Sequence, residues 1–201
     1  MVQNSLQKRE VNMALKGLVL CGGKSLRMQQ DKSTISYHGL PQWQYLYNLL
    51  KEFVPEVWLS AREGQEFPGC GNIIHDSVEG AGPSAGLLSA YAHDPAASWL
   101  VLACDLPLIS AQSISLLLEK RQPRLAATSF ISPFNEQPEP LIAIWEPAAL
   151  EQLANDFREG KTCPRKTLSG MEVALIENPY RREQYNANTP EEMENAKEKL
   201  K

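Results

Sequence analysis

Leu15-Lys16-Gly17-Leu18-Val19-Leu20-Cys21 (LKGLVLC) is an apolar run that ends on Gly22-Gly23 and a polar loop, Lys24-Ser25-Leu26-Arg27-Met28-Gln29-Gln30-Asp31-Lys32. An apolar run of this length bounded by glycine reads as a strand delivering a turn. Pro41 to Phe53 (PQWQYLYNLLKEF) follows with helical spacing. Strand, glycine turn and helix form the opening of an α/β sheet, and such a sheet binds ligands outside the carboxyl ends of its strands.

The alternation continues outward. Val57 to Ser60 and Asn72 to His75 are strand-like, and Gly82 to Ala92 (GPSAGLLSAYA) opens on glycine and reads as a helix. Trp99 to Cys104 (WLVLAC) is almost wholly apolar, as expected of a central parallel strand covered on both faces, and Ala111 to Lys120 follows as a helix. In the second half Leu125 to Phe130 and Leu141 to Trp145 look like strands. The Pro-containing segment between them (SPFNEQPEP) predicts a crossing connection or a hairpin, so the sheet is expected to become mixed there. Pro147 to Glu159 and Cys163 to Leu168 read as helices and Glu172 to Ile176 as a strand. Thr189-Pro190-Glu191-Glu192 supplies an N-cap, a first-turn proline and first-turn acids for a terminal helix. No repeat or linker divides the chain, so one three-layer α/β/α sandwich over 15–201 is expected, preceded by a polar tail over 1–14 in which Met13 offers an alternative start.

Composition narrows the function. The 201 residues are 43% hydrophobic and 22% charged, with a formal net charge of -4. This gives enough apolar content for one core and no general attraction to nucleic acid or to anionic membranes. No apolar run approaches the roughly 20 residues that cross a bilayer, and no secretory leader is legible, so a cytoplasmic protein is expected. The four cysteines lack metal-site spacing and read as small buried residues. His38, His75 and His93 are scattered and read as bystanders, and no Gly-x-Ser-x-Gly elbow is present. Trp43, Trp58, Trp99 and Trp145 read as packing residues.

Four clusters remain as candidates for chemistry. The Gly22-to-Lys32 loop brings Ser25, Arg27 and Lys32 to the first strand's end and would cradle a polyphosphate, although it matches neither the P-loop nor the dinucleotide pattern. A solvated turn is the plain alternative. Asp105-Leu106-Pro107 stands at the end of the central apolar run. A carboxylate there suits Mg²⁺, which prefers oxygen ligands and substrate phosphates, and a helix N-cap is the alternative. Asp76-Ser77 with Gly80, Gly82-Pro83 and Gly86 could hold a nucleoside, the glycines letting a flat base lie near the backbone, or form only a turn and a helix-packing glycine. Asn186-Ala187-Asn188-Thr189-Pro190 offers neutral oxygen ligands or a helix cap.

In this order the four clusters resemble the molybdenum cofactor guanylyltransferases, the MobA family, from about Leu15 to the C-terminus. The resemblance implies a Rossmann-like nucleotidyltransferase fold with a mostly parallel, partly mixed sheet. It implies transfer of GMP from GTP to the terminal phosphate of molybdopterin, giving molybdopterin guanine dinucleotide and pyrophosphate with Mg²⁺ as cofactor. It places Leu20, Cys21, Gly22, Gly23, Ser25, Arg27, Lys32, Ser60, Asp76, Gly82, Pro83 and Asp105 along GTP, with Arg27, Lys32 and Asp105 catalytic. Asp105 and Asn188 would bind the metal, and Asn186, Asn188, Lys161 and Arg165 the acceptor. The N-terminal half would then bind GTP and the C-terminal half the acceptor. Molybdopterin-delivering proteins and molybdoenzyme chaperones are the implied protein partners. Two positions depart from the family pattern: Gln29 stands where the family has Gly, and Ser60 where it has Asn. A transferase using CTP is the nearest alternative, against which the Gly22-Gly23 pair argues. A nucleotide-binding module without turnover is the other.

Overall fold

The computed structural model describes residues 14–22 and 31–201. Seven strands form one sheet among these residues: β1 (Leu15–Leu20), β2 (Val57–Ala61), β3 (Ile73–His75), β4 (Ser98–Ala103), β5 (Ala127–Ile131), β6 (Pro138–Trp145) and β7 (Val173–Ile176). Their order is β3-β2-β1-β4-β6-β5-β7, and all run parallel except β6, which is antiparallel to both β4 and β5. Every residue of β4 is buried, as the unbroken apolar run predicts for a strand covered on both faces. Trp99 and Trp145 are opposite each other across β4 and β6, and both are fully buried.

The described residues form six α-helices: α1 (Gln42–Lys51), α2 (Pro83–His93), α3 (Ala111–Glu119), α4 (Pro147–Arg158), α5 (Pro164–Ser169) and α6 (Pro190–Lys199). Alternation along β1 separates the layers. Gly17 faces Leu50 of α1, whereas Leu20 faces Gly86 of α2. α2 packs on α4, and α4 on α5, on that second face. Prolines at the first turns of α2, α4, α5 and α6 sit where their missing N–H is not needed. Thr189 closes a capping box with Glu192 at the start of α6.

β6 begins at Pro138, three residues before Leu141, where the apolar run predicts its start. The segment 132–137 is the turn of a hairpin, closed by the Ile131–Pro138 pair and by the Ser132 N–H donating to the Gln137 carbonyl at 2.8 Å. Glu136 takes a φ of 58° there, the left-handed conformation that such a turn needs. Because β6 is reversed, its first residues lie at the end of the sheet where the parallel strands finish. At the opposite end, Arg121 donates to both oxygens of the buried Glu146, at 2.8 and 2.9 Å, and Ser98 donates to the same carboxylate at 2.5 Å.

Candidate functional site

The crevice lies outside the carboxyl ends of β1, β2 and β4. β4 delivers Asp105, whose Oδ1 is sealed from water and has no hydrogen-bond partner among the described residues. Burial pushes the Asp105 carboxyl above the usual carboxylate range, opposed by the Lys32 charge and a hydrogen bond from Asn186. Asp105 is not a helix cap, because Ser110 caps α3. Its backbone is pinned from three sides. Ala187 N–H donates to the Asp105 carbonyl at 2.8 Å, Gln42 Nε2 to that of Leu106 at 3.0 Å, and Tyr45 OH to that of Ile109 at 3.0 Å. His38, stacked on Tyr45 with ring centroids 3.7 Å apart, hydrogen-bonds the Pro107 carbonyl at 2.8 Å. His38 therefore braces the Asp105 loop and is not the bystander that its isolation in the sequence predicts.

Lys32 opens a short 3₁₀ turn (Lys32–Thr34) capped by Asp31. Its Nζ donates to Asn188 Oδ1 at 2.6 Å. The side chain of Glu192 reaches back from α6 to accept from the Asn188 N–H at 2.7 Å, so the helix cap also sets Asn188. Lys32, Asp105, Asn186 and Asn188, drawn from three distant parts of the sequence, thus converge.

The β1–β2 side is built as tightly. Ser60 Oγ donates to Asp76 Oδ1 at 2.7 Å. Burial raises the Asp76 carboxyl, opposed by the Ser60 hydrogen bond and the Arg62 charge. A Cβ on Gly22 would strike Asp76 Oδ2, and one on Gly86 would strike Ser60 Oγ and come within 2.5 Å of Leu20 Cδ2. Gly86 is therefore a packing glycine filled by Ser60 and Leu20, not a platform for a base. Gly82 is open above its Cα and takes a φ of 56° as the residue before Pro83 and α2. Cys21 and Cys104 lie buried beneath the crevice with sulfurs 3.5 Å apart, and burial pushes the Cys21 thiol up, as suits small inert core residues. Cys163 is exposed and Cys70 half-buried, so that reading fails for Cys163.

Gln65 and Arg62, which sequence reading did not single out, tie this side together. Gln65 Nε2 donates to the Cys21 carbonyl at 3.2 Å and to Asp31 Oδ2 at 2.5 Å, while its Oε1 accepts from the Arg62 N–H at 2.8 Å. Arg62 Nη2 donates to the same Asp31 oxygen at 3.1 Å. Burial alone would raise the Asp31 carboxyl, but the bonds from Ser33 and Gln65 and the Arg62 charge hold it below its ordinary value. Position was the available signal for Arg62, which follows directly on the carboxyl end of β2, and Gln65, four residues past that end, carried none.

Gly23, Ser25, Arg27 and Gln29 lie outside the described residues. Of the residues expected at the acceptor, Arg165 lies against Glu139 at the start of β6. Lys161 is set apart: it pairs with Glu159 at 2.6 Å and lines a groove of about 1170 Å³ between α4 and α5, which none of the other candidate residues lines.

A mostly parallel sheet with Gly22 after β1 and a carboxylate after β4 is an open α/β fold whose ligand crevice lies at the carboxyl ends of its strands. The chain belongs to the MobA-like NTP transferase family, whose domain model matches residues 17–174. It is 35% identical over 182 residues to the molybdenum cofactor biosynthesis bifunctional protein of Synechocystis, covering 89% of this chain and 52% of that protein. The chain thus spans about half the length of that relative. It is 29% identical over 189 residues to the molybdenum cofactor guanylyltransferase of Xanthomonas euvesicatoria, covering 88% of this chain and 90% of that one. The crystal structure of molybdopterin-guanine dinucleotide biosynthesis protein A from Archaeoglobus fulgidus superposes with a TM-score of 0.72 at 22% identity, over 91% and 97% of the two chains.

Proposed function

We propose that the protein transfers GMP from GTP to the terminal phosphate of molybdopterin and releases pyrophosphate. The observation that carries this reading is Asp105: a buried carboxylate with one oxygen lacking a protein partner among the described residues, beside the Lys32–Asn188 pair. In the reaction an oxygen of the acceptor phosphate forms a bond to the α-phosphorus of GTP. The bond from that phosphorus to the bridging oxygen breaks, and pyrophosphate leaves with the electron pair. The attacking phosphate is already anionic, so the protein's work is positioning and charge neutralisation, with no general base.

The donor set fits Mg²⁺, because Asp105 Oδ1 is a hard oxygen in need of a cation and Asn188 Oδ1 faces the same region. When bound, Mg²⁺ supplies charge stabilisation on the phosphates. Lys32 and Arg27 would hold the triphosphate. Leu20, Cys21, Gly22, Gly23 and Ser25 would line the nucleotide, and Ser60, Asp76, Gly82 and Pro83 would complete the nucleoside side. Asn186, Asn188 and Arg165 would face the acceptor, with Lys161 at its margin. The reading places the protein in the cytoplasm. No helix among the described residues is long and apolar enough to cross a membrane.

The test is Mg²⁺-dependent pyrophosphate release from GTP and, in parallel, from CTP, each with and without molybdopterin. Release from GTP that requires the pterin is the expected result. Release from CTP alone, or none from either, overturns the reading.

A further inference from the structure

Glu139 is a buried carboxylate that the donor site does not use. Its side chain is 10% exposed and has a hydrogen bond with Ser132, and its charged partner is Arg165, whose Nη2 lies 3.4 and 3.5 Å from the two carboxylate oxygens. Charge-assisted pairs normally close to about 2.7–2.9 Å, so this one is loose. Glu139 is the second residue of β6, whose reversed direction (Leu102 pairs with Ile142) brings it to the end of β4 from which Asp105 follows. The electrostatics agree, because burial raises the Glu139 carboxyl and Asp105 raises it further, against Arg165 and the Ser132 hydrogen bond. Glu139 therefore lies at the crevice, across β4 from Gly22, Ser60 and Asp76.

We infer that Glu139 and Arg165 form a subsite that reads the amino-amide edge of a 2-amino-4-oxopteridine. This inference rests on the guanylyltransferase reading for the identity of the acceptor. The edge presents a carbonyl acceptor (O4), a ring N–H donor (N3) and an amino donor (N2) in a row. A carboxylate accepts two parallel donors, and an adjacent guanidinium donates to the carbonyl, so the side-by-side pair matches the edge in polarity and number. Because the Glu139–Arg165 contact is long, it opens to admit the ligand with little loss. Guanine carries the same edge, but Gly22, Ser60 and Asp76 stand on the β1–β2 side, which leaves the β6 side for the second substrate.

The probes are 6-hydroxymethylpterin and 6-hydroxymethyllumazine, which differ in replacing the 2-amino group by a carbonyl that would oppose the carboxylate. Each is titrated into the full chain, with GTP titrated separately into the same samples. The wild-type chain should prefer the pterin by at least tenfold, and Glu139→Gln should abolish the preference, because the amide turns a donor toward the ligand's donors. Arg165→Gln, at a side chain 34% exposed, should weaken both ligands about tenfold alike and keep the preference, giving a second arm if Glu139→Gln does not fold. Absence of the preference in the wild type, its survival in Glu139→Gln, or loss of GTP affinity in Glu139→Gln without loss of pterin affinity overturns the subsite. A wild-type chain that prefers the pterin but does not bind GTP overturns the donor reading and leaves the subsite standing.

Discussion

Lys32 and Asn188 stand 156 residues apart in the chain and meet at 2.6 Å, an ammonium on an amide oxygen at the edge of the crevice. A hydrogen bond to a charged group contributes about 1.5–3 kcal/mol, which is roughly ten- to a hundredfold in affinity where the ligand depends on it. Lys32→Ala should weaken GTP binding by that factor, and Asn188→Ala by less. The double variant should fall short of the two combined, since the residues act as a unit. Titration with a fluorescent GTP analogue reads all three, and full additivity would show that the pair is uncoupled.

Asp105→Asn should separate stability from activity. The raised carboxyl pKa means that the fold favours the protonated acid, so the ionised group subtracts from stability. This penalty is absent below the ordinary Asp value of about 3.9 and grows as the pH rises through the higher folded value. With metal chelated, the variant should melt above the wild type at pH 7 and together with it near pH 3. Mg²⁺-dependent turnover should drop by about a hundredfold or more, as expected when several kcal/mol of charge stabilisation is lost.

Gln65→Ala should loosen the two ends of the glycine loop, because one side chain holds both the Cys21 carbonyl and Asp31. Nucleotide affinity should fall about tenfold with little change in melting temperature, since the loss is of polar contacts at the crevice rim. Gln65→Glu, which removes both donors, should behave alike, and combining it with Asp31→Asn should restore part of the affinity by reversing the bond's polarity.

Gly86→Ala should destabilise the fold by about 1–3 kcal/mol through overpacking against Ser60 and Leu20. Denaturant unfolding measures it. A Ser60→Ala background, which removes the hydroxyl that the new methyl would strike, should recover part of the loss.

Arg121→Ala, far from the crevice, should cost about 3–5 kcal/mol by leaving the buried Glu146 uncompensated. Chemical denaturation should show that loss, while GTP affinity at a temperature where the chain stays folded should be unchanged.

Most of the fold was legible because its signals are local. Runs such as Trp99 to Cys104 and caps such as Thr189-Pro190 declare an element within a few residues. The start of β6 was not legible, because Pro138 and Pro140 lack the N–H of ordinary strand residues and read as loop. Asp105, Lys32 and Asn188 could be singled out because each stands at an element's end. Gln65 could not, since its role is to bridge Cys21 and Asp31, which are remote from it in the chain. Glu139 was hidden for the same reason as β6, because only the strand's reversal brings it to the Asp105 end of β4.

The long span between Lys32 and Asn188 also orders the folding of the molecule. A contact across so many residues carries a large loop-closure entropy, which is recovered only after the intervening strands have assembled. On the ribosome Lys32, β4 and Asp105 are made well before Asn188. A proteolytic fragment ending before Tyr185 would be in the same position, retaining the parallel strands while Lys32 lacks its partner. The crevice is thus completed last, and ligand affinity would report on whether the chain has finished folding.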